Sequence, residues 1–238
     1  EYTAETIHQG YIESHVTTVK WDNPDFVTVW TATQGAFGLR DHLADIICVP
    51  QSHINVVPLE VGGGFGGKER IYIDPVAALL SKKSGRPVKI AMRRDEVLRA
   101  TGPSSGTYIK LKFGVKKDGA LTAADMHLAY EAGAYPGGPI FLGMISSISR
   151  YNVPNIQMNG FDVIVNKPTM RPYRAPGAPQ ALFAVEQIMD ELAGELGMDA
   201  IEFRLKNMAV TSDRLVPGMP LVSFDPVCFP IQIPIPPS

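Results

Sequence analysis

The sequence is poor in the residues that usually hold a redox centre. Its 238 residues include two cysteines, Cys48 and Cys228, with no CxxC spacing. Two thiols are too few for an iron–sulfur cluster, which usually takes four, and they argue against a disulfide framework. Cys48 lies in the apolar run Ile46-Ile47-Cys48-Val49. It reads as a small core residue of a protein kept in a reducing compartment. The five histidines (His8, His15, His42, His53 and His127) form no HExxH or i,i+4 pair, so no zinc site is signalled. A net charge of −2 leaves no basic field for nucleic acid or anionic lipid. No apolar run approaches the ~18–20 residues that cross a bilayer, and no signal-peptide pattern opens the chain. Glu1 in place of Met is expected of a processed or partial chain.

Glycine, by contrast, is concentrated. Gly62-Gly63-Gly64-Phe65-Gly66-Gly67-Lys68-Glu69 follows the strand-like run Ile54 to Leu59. Glycine tolerates positive φ and has no Cβ, so backbone N–H groups in such a run can approach a ligand closely and form an anion- or oxo-binding nest. Gly62-x-Gly64-x-x-Gly67 fits the dinucleotide fingerprint. Gly62-x-x-x-x-Gly67-Lys68 fits a phosphate loop, except that Glu69 stands where Ser or Thr would bind magnesium. Both patterns need a helix that begins at the last glycine. The cleanest helix start comes later, with Asp74 as N-cap and Pro75 as first helical residue. Both nucleotide readings are therefore disfavoured.

Hydrophobic periodicity orders the rest. Strands are expected at Val27 to Thr31, Ile54 to Val61, Pro87 to Met92 and Ile156 to Val165. Helices are expected at Ala36 to Ile47, with Phe37, Leu43, Ala44 and Ile47 near one face, and at Pro75 to Lys83. Ile109, Leu111, Phe113 and Val115 alternate with lysines up to Asp118-Gly119, and Met126, Leu128 and Tyr130 alternate beyond it. That pattern is a hairpin in a sheet with one solvated face. The strongest helix is Pro176 to Leu196, with an apolar stripe of Leu182, Val185, Met189, Leu192 and Leu196. Asp199 with Glu202 resembles a capping box. Hairpins next to helices predict an α+β fold with mixed or antiparallel sheets and packed helices. Residues 216–238 are proline-rich and read as an extended tail.

Several stretches could carry chemistry. Gly102-Pro103-Ser104-Ser105-Gly106 matches GxSxG, but a strand rather than a helix follows, so it reads as a loop. Arg93-Arg94-Asp95-Glu96 reads as a solvated turn with local ion pairing. Gln34 stands where a strand ends and a helix is about to begin, a place that commonly presents polar groups to a cleft. Taken alone, it is an ordinary turn glutamine. Arg174 lies in Arg171-Pro172-Tyr173-Arg174-Ala175-Pro176-Gly177, where prolines stiffen the loop before the long helix. It is either preorganised for a carboxylate or developing oxyanion, or a surface arginine at a helix start.

In order along the chain stand Thr33-Gln34; the Gly62 to Glu69 loop; Gly85-Arg86-Pro87-Val88-Lys89; Asp118-Gly119; Gly133-Ala134-Tyr135; Tyr151-x-Val153-Pro154-Asn155; Val165-Asn166-Lys167-Pro168; Tyr173-Arg174-Ala175-Pro176-Gly177-Ala178-Pro179-Gln180; and Arg204-Leu205-Lys206-Asn207. Together they resemble the molybdenum-cofactor subunit of the xanthine dehydrogenase/aldehyde oxidase family over almost everything up to about Leu215. The resemblance implies a molybdopterin-binding domain at 1–215, as one or two α+β units, and molybdenum held by a pterin dithiolene without a side-chain ligand. It implies hydroxylation of an aldehyde or N-heterocycle with water-derived oxygen in the cytoplasm, and electrons passed to iron–sulfur clusters and FAD on partner chains.

By position, Gln34 is expected to hydrogen-bond an oxo ligand of the metal. The backbone of Gly64, Phe65, Gly66 and Gly67 would line the cofactor. Glu69 would bind substrate, and Arg174 would stabilise its developing negative charge. The family's subunit is much longer, and its later half supplies further pterin contacts and a glutamate base that nothing here resembles. The chain also lacks the cysteine-bearing loop of carbon monoxide oxidisers. It is therefore expected to be one part of a site completed by a second chain or a missing C-terminal half, and inactive alone. A non-catalytic scaffold of the same fold, and a nicotinamide enzyme built on Gly62 to Gly67, are the alternatives.

Overall fold

The computed structural model describes residues 1–22 and 26–209. In chain order the strands and helices are β1 (Tyr2–Ala4), β2 (Val16–Asp22), β3 (Phe26–Thr31), α1 (Ala36–Ile47), β4 (Ile54–Pro58), α2 (Asp74–Ser84), β5 (Val88–Ala91), α3 (Arg94–Ala100), β6 (Thr107–Val115), β7 (Leu121–Gly133), α4 (Ile140–Ile148), β8 (Asn155–Ile164), α5 (Ala178–Leu196) and α6 (Ala200–Asn207). The architecture is α+β with two mixed sheets and packed helices, as the sequence predicts. Among the described residues no helix is long and apolar enough to cross a membrane. The expected tail at 216–238 lies outside the described residues.

One sheet has the order β4-β3-β2-β5. β2 pairs antiparallel with both β3 and β5, while β3 and β4 run parallel. Val19, Val27 and Val29 meet Leu43 and Ile47 of α1 and Ala77 and Ala78 of α2 in one buried cluster. The other sheet has the order β1-β6-β7-β8. The predicted hairpin forms it, with Ile109 opposite Leu128 and Leu111 opposite Met126. Gly119 takes φ +85°, as the turn requires. Ile109, Met126, Leu128 and Tyr130 pack on Ala181, Val185 and Met189 of α5 and Phe203 of α6. β8 runs parallel to β7 at the sheet's outer edge, with Ile156, Phe161, Val163 and Ile164 exposed.

Local differences from expectation have physical causes. Phe37 is exposed under the Arg40 guanidinium, and Leu39 takes its place in the core. Cys48 is exposed rather than buried, because it ends α1 in a left-handed cap at φ 55° that turns it out of the core. Asp74 is the first residue of α2 and caps nothing, Ile73 being the cap. Arg93-Arg94-Asp95-Glu96 starts α3 instead of forming a turn; the expected pairing is there, and Glu96 accepts from the Arg93 backbone in a capping box. α5 begins at Ala178, after Gly177 at φ +79°, and its buried face is built mainly of alanines. Asp199 caps α6 by accepting from the N–H groups of Ile201 and Glu202.

Candidate functional site

Three segments converge at one end of the β4-β3-β2-β5 sheet. The first is Thr33-Gln34, between β3 and α1. The second is the glycine loop after β4, and the third is the 171–177 loop before α5. Gln34 is held at both its backbone and its side chain. Its N–H donates to the Lys68 carbonyl at 3.0 Å. Its Oε1 accepts from the N–H groups of Gly66 at 3.0 Å and Lys68 at 3.1 Å. Thr33 Oγ1 donates to the same Lys68 carbonyl at 3.3 Å. With its oxygen occupied twice, the Gln34 amide has one orientation, and its Nε2 is a donor with no partner among the described residues.

The glycines make this approach possible. A Cβ on Gly64 would collide with Gln34 Oε1. Gly66, at φ +97°, would place a Cβ 2.6 Å from the Pro172 carbonyl oxygen. Phe65 is non-glycine yet takes φ 51°, a conformation costing roughly 1–3 kcal/mol that persists only where the surroundings hold it. Its carbonyl accepts the Arg174 N–H at 2.9 Å. The 171–177 loop is fixed further by Gln9 Nε2, which donates to the Pro172 carbonyl, and by the Tyr130 hydroxyl, which donates to the Gly177 carbonyl at 2.8 Å.

The glycine loop is not the open nest that its composition predicts. The N–H groups of Gly62, Gly66, Gly67, Lys68 and Glu69 all bond within the protein. Those of Gly63, Gly64 and Phe65 have no partner among the described residues. No helix starts at Gly67; the next begins at Asp74. Lys68 points inward, fully buried, to Glu13 at 2.5 Å. The phosphate-loop and dinucleotide readings therefore fail on geometry.

Gln34, Gly64, Phe65, Gly66, Gly67 and the Arg174 backbone are thus brought together. Glu69 follows one turn on, with its N–H 3.4 Å from the Gly66 carbonyl. The side chains of Glu69 and Arg174 are exposed, and neither makes a polar contact among the described residues. The 171–176 loop and the start of α4 line an open cleft of about 280 Å³ walled by Pro139, Phe141, Leu142, Arg171, Pro172 and Pro176; Arg174 is not among its lining residues. Its aromatic wall, Phe141, has no signature in the sequence. Ser104 and Ser105 lie buried in a loop followed by β6, as the loop reading of GxSxG requires.

Beneath the loop sits a buried polar cluster. The Tyr11 hydroxyl and His15 Nε2 are 2.6 Å apart. Burial, followed by the nearby Lys68 cation, pushes the His15 imidazole down to about 4. Burial alone would raise the Glu13 carboxyl, but the Lys68 ammonium and the Gly62 N–H outweigh it and hold the group below its ordinary value. Nothing in the spacing of Tyr11, Glu13 and His15 announces them as the floor of a site.

A family model described as the molybdopterin cofactor-binding domain matches residues 1–208. The chain belongs to this family. A Bacillus subtilis protein, named as one of the subunits of a probable xanthine dehydrogenase, is 37% identical to the domain, over 78% of this chain and 25% of its own length. The nicotinate dehydrogenase large molybdopterin subunit of Eubacterium barkeri is 30% identical over 92% of this chain and 52% of its own. The aldehyde oxidoreductase of Desulfovibrio gigas superposes with a TM-score of 0.81 at 28% identity, over 87% of this chain and 23% of that one. Quinoline 2-oxidoreductase of Pseudomonas putida 86 gives 0.83 at 25% identity, over 87% of this chain and 27% of that one. The chain therefore spans 25% and 52% of the lengths of these two curated relatives.

The site of this molybdopterin domain fits such a cofactor. It offers donors without a protein partner among the described residues at Gln34 Nε2 and on the Gly64 and Phe65 backbone, suited to oxygen acceptors. Among the described residues no cluster of three or more His, Cys, Asp and Glu could hold a metal ion.

Proposed function

We propose that this chain forms one wall of the molybdenum site in an oxidoreductase that hydroxylates an aldehyde or N-heterocycle with oxygen derived from water. One observation carries the reading: the Gln34 carbonyl is captured by Gly66 and Lys68, so the amide nitrogen faces outward as a fixed donor. A preset donor costs no reorganisation when an acceptor arrives. The cofactor supplies the two-electron oxidation. This chain's residues bind, orient and balance charge.

Gln34 Nε2 would donate to an oxygen acceptor of the cofactor, and the Gly64 and Phe65 backbone would help to hold it. Arg174, on a loop tied to Phe65, donates to a substrate oxygen or nitrogen that gains negative charge. Losing a single donor of this kind costs about 2.7–4 kcal/mol of barrier. Glu69 accepts an N–H of the substrate, a role that suits a polar heterocycle. The apolar cleft lined by Pro172 and Pro176 of the Arg174 loop supports a flat ring flanked by Phe141 and prolines. Residues 1–215 act as the cofactor domain, with electrons leaving to iron–sulfur and FAD partners. A reducing, cytoplasmic setting is consistent with the exposed Cys48 thiol.

The test is to purify the chain alone and together with companion chains, and to measure molybdenum, pterin and turnover. The expected result is little cofactor and no turnover alone, with stoichiometric cofactor and activity in the assembly. An assembly that binds no molybdenum would favour a non-catalytic scaffold. A lone chain that holds the metal and oxidises substrate would overturn the shared-site reading.

A further inference from the structure

We propose that Glu13 and Lys68 are positioning residues whose ion pair, a buried ammonium on a partly exposed carboxylate, holds the Gly66 and Lys68 N–H groups against the Gln34 carbonyl and so fixes the rotation of that amide. Its consequence for the cofactor rests on the reading of Gln34 given above; the clamp itself is a property of this chain.

A single carboxylate closes the loop. Glu13 Oε2 takes the Lys68 ammonium at 2.5 Å and the Gly62 N–H at 2.8 Å. The Glu13 N–H donates back to the Gly62 carbonyl at 3.0 Å. The two ends of the 62–68 loop are thereby tied to one residue. Further hydrogen bonds hold the segment that carries Glu13. Arg94 donates to the Ile12 carbonyl at 2.6 Å, and Met92 N–H donates to the His15 carbonyl at 2.9 Å. The Tyr11 ring lies 5.2 Å from the Lys68 ammonium, and its Cε1 atom would sit 2.5 Å from a Cβ on Gly67.

Lys68 therefore makes four contacts that serve one outcome. Its ammonium anchors below, its N–H grips the Gln34 side chain, and its carbonyl accepts from both the Gln34 backbone and Thr33. A buried ammonium is retained only when well paired. This one is paired through the residue that also sets the start of the loop.

Amide hydrogen exchange by NMR on the full chain tests the clamp. Glu13→Gln keeps the side-chain volume and an acceptor for Gly62 but removes the charge. Exchange at Gly66 and Lys68 is expected to rise at least tenfold, while the β2–β3 ladder keeps wild-type rates. Unchanged rates at Gly66 and Lys68, or equal acceleration in the ladder, would overturn the proposal. Should Glu13→Gln fail to fold, the charge-free pair Glu13→Gln/Lys68→Met leaves no buried charge unpaired, and the same site-selective acceleration is expected.

In the assembled enzyme, molybdenum and pterin content should fall in Glu13→Gln and in Gln34→Ala, and no further in the combination. Effects that multiply would show that Glu13 does not act through Gln34. If the exchange result holds while Gln34→Ala retains full cofactor, the clamp stands and the cofactor role of Gln34 falls.

Discussion

Gln34 and Lys68 grip each other twice: the Lys68 N–H meets the Gln34 side-chain oxygen at 3.1 Å, and the Gln34 N–H meets the Lys68 carbonyl at 3.0 Å. The side-chain half of this pairing can be separated from the cofactor. Gln34→Glu keeps an acceptor for Gly66 and Lys68 but replaces the outward donor with an acceptor. Thermal unfolding should shift little, while cofactor content of the assembled enzyme drops. Gln34→Ala should do both, since it strands two buried N–H groups at about 1–3 kcal/mol each. Calorimetry with metal analysis distinguishes the two variants.

Arg174 makes no side-chain polar contact among the described residues, so its removal should spare the fold. Arg174→Met is expected to lower kcat by about 10²–10³-fold, the loss typical of one charge-stabilising donor, with unfolding midpoints close to wild type. Steady-state kinetics on the assembled enzyme gives the answer. A loss of stability as large as the loss of rate would instead assign Arg174 a structural role.

Gly66→Ala should be the most damaging single methyl in the loop. It forces a Cβ to 2.6 Å from the Pro172 carbonyl oxygen at a φ of +97°. Strain of this kind costs roughly 1–3 kcal/mol before any collision is relieved. The 171–177 loop must move away from Phe65, which breaks the Arg174 N–H bond to the Phe65 carbonyl. Urea denaturation should show the lower stability, and proteolysis should cut within residues 171–177 faster than in wild type.

Acid should weaken this protein through His15. Its imidazole is held neutral, with a folded value of about 4 against 6.5 for an ordinary histidine. The unfolded chain takes up the proton first as pH falls below 6.5, so stability declines between pH 6.5 and 4. The loss approaches about 3 kcal/mol at the lower end. Glu13 adds a loss of the same sign at lower pH, because its folded value is depressed and its pairing vanishes once it is protonated. His15→Gln should flatten the slope between pH 6.5 and 4, read as urea midpoints against pH.

The strongest periodic signals of the fold are legible in the sequence. The β6–β7 hairpin and α1 follow the alternation and the 3.6-residue period closely. β2 is hidden because Thr17, a polar residue, occupies one of its buried positions beside Val19 and Trp21. α4 buries Gly143 and Ser147 while Phe141 and Leu142 are exposed, so its large apolar residues do not mark its inner face. At the site, glycine content marks the loop and a strand end marks Gln34. Which N–H groups are free does not follow from composition, since that depends on Gln34 and Glu13 folding against them. Lys68 fits a phosphate-binding pattern by spacing, yet its true partner lies 55 positions away.

β8 runs ten residues along the margin of its sheet, with Asp162 as its one charge and no proline to interrupt it. Backbone groups along such a margin can pair with a like strand from another molecule. Concentrated preparations of the chain by itself should therefore self-associate and turn cloudy, and a lysine introduced at Phe161 should keep them clear.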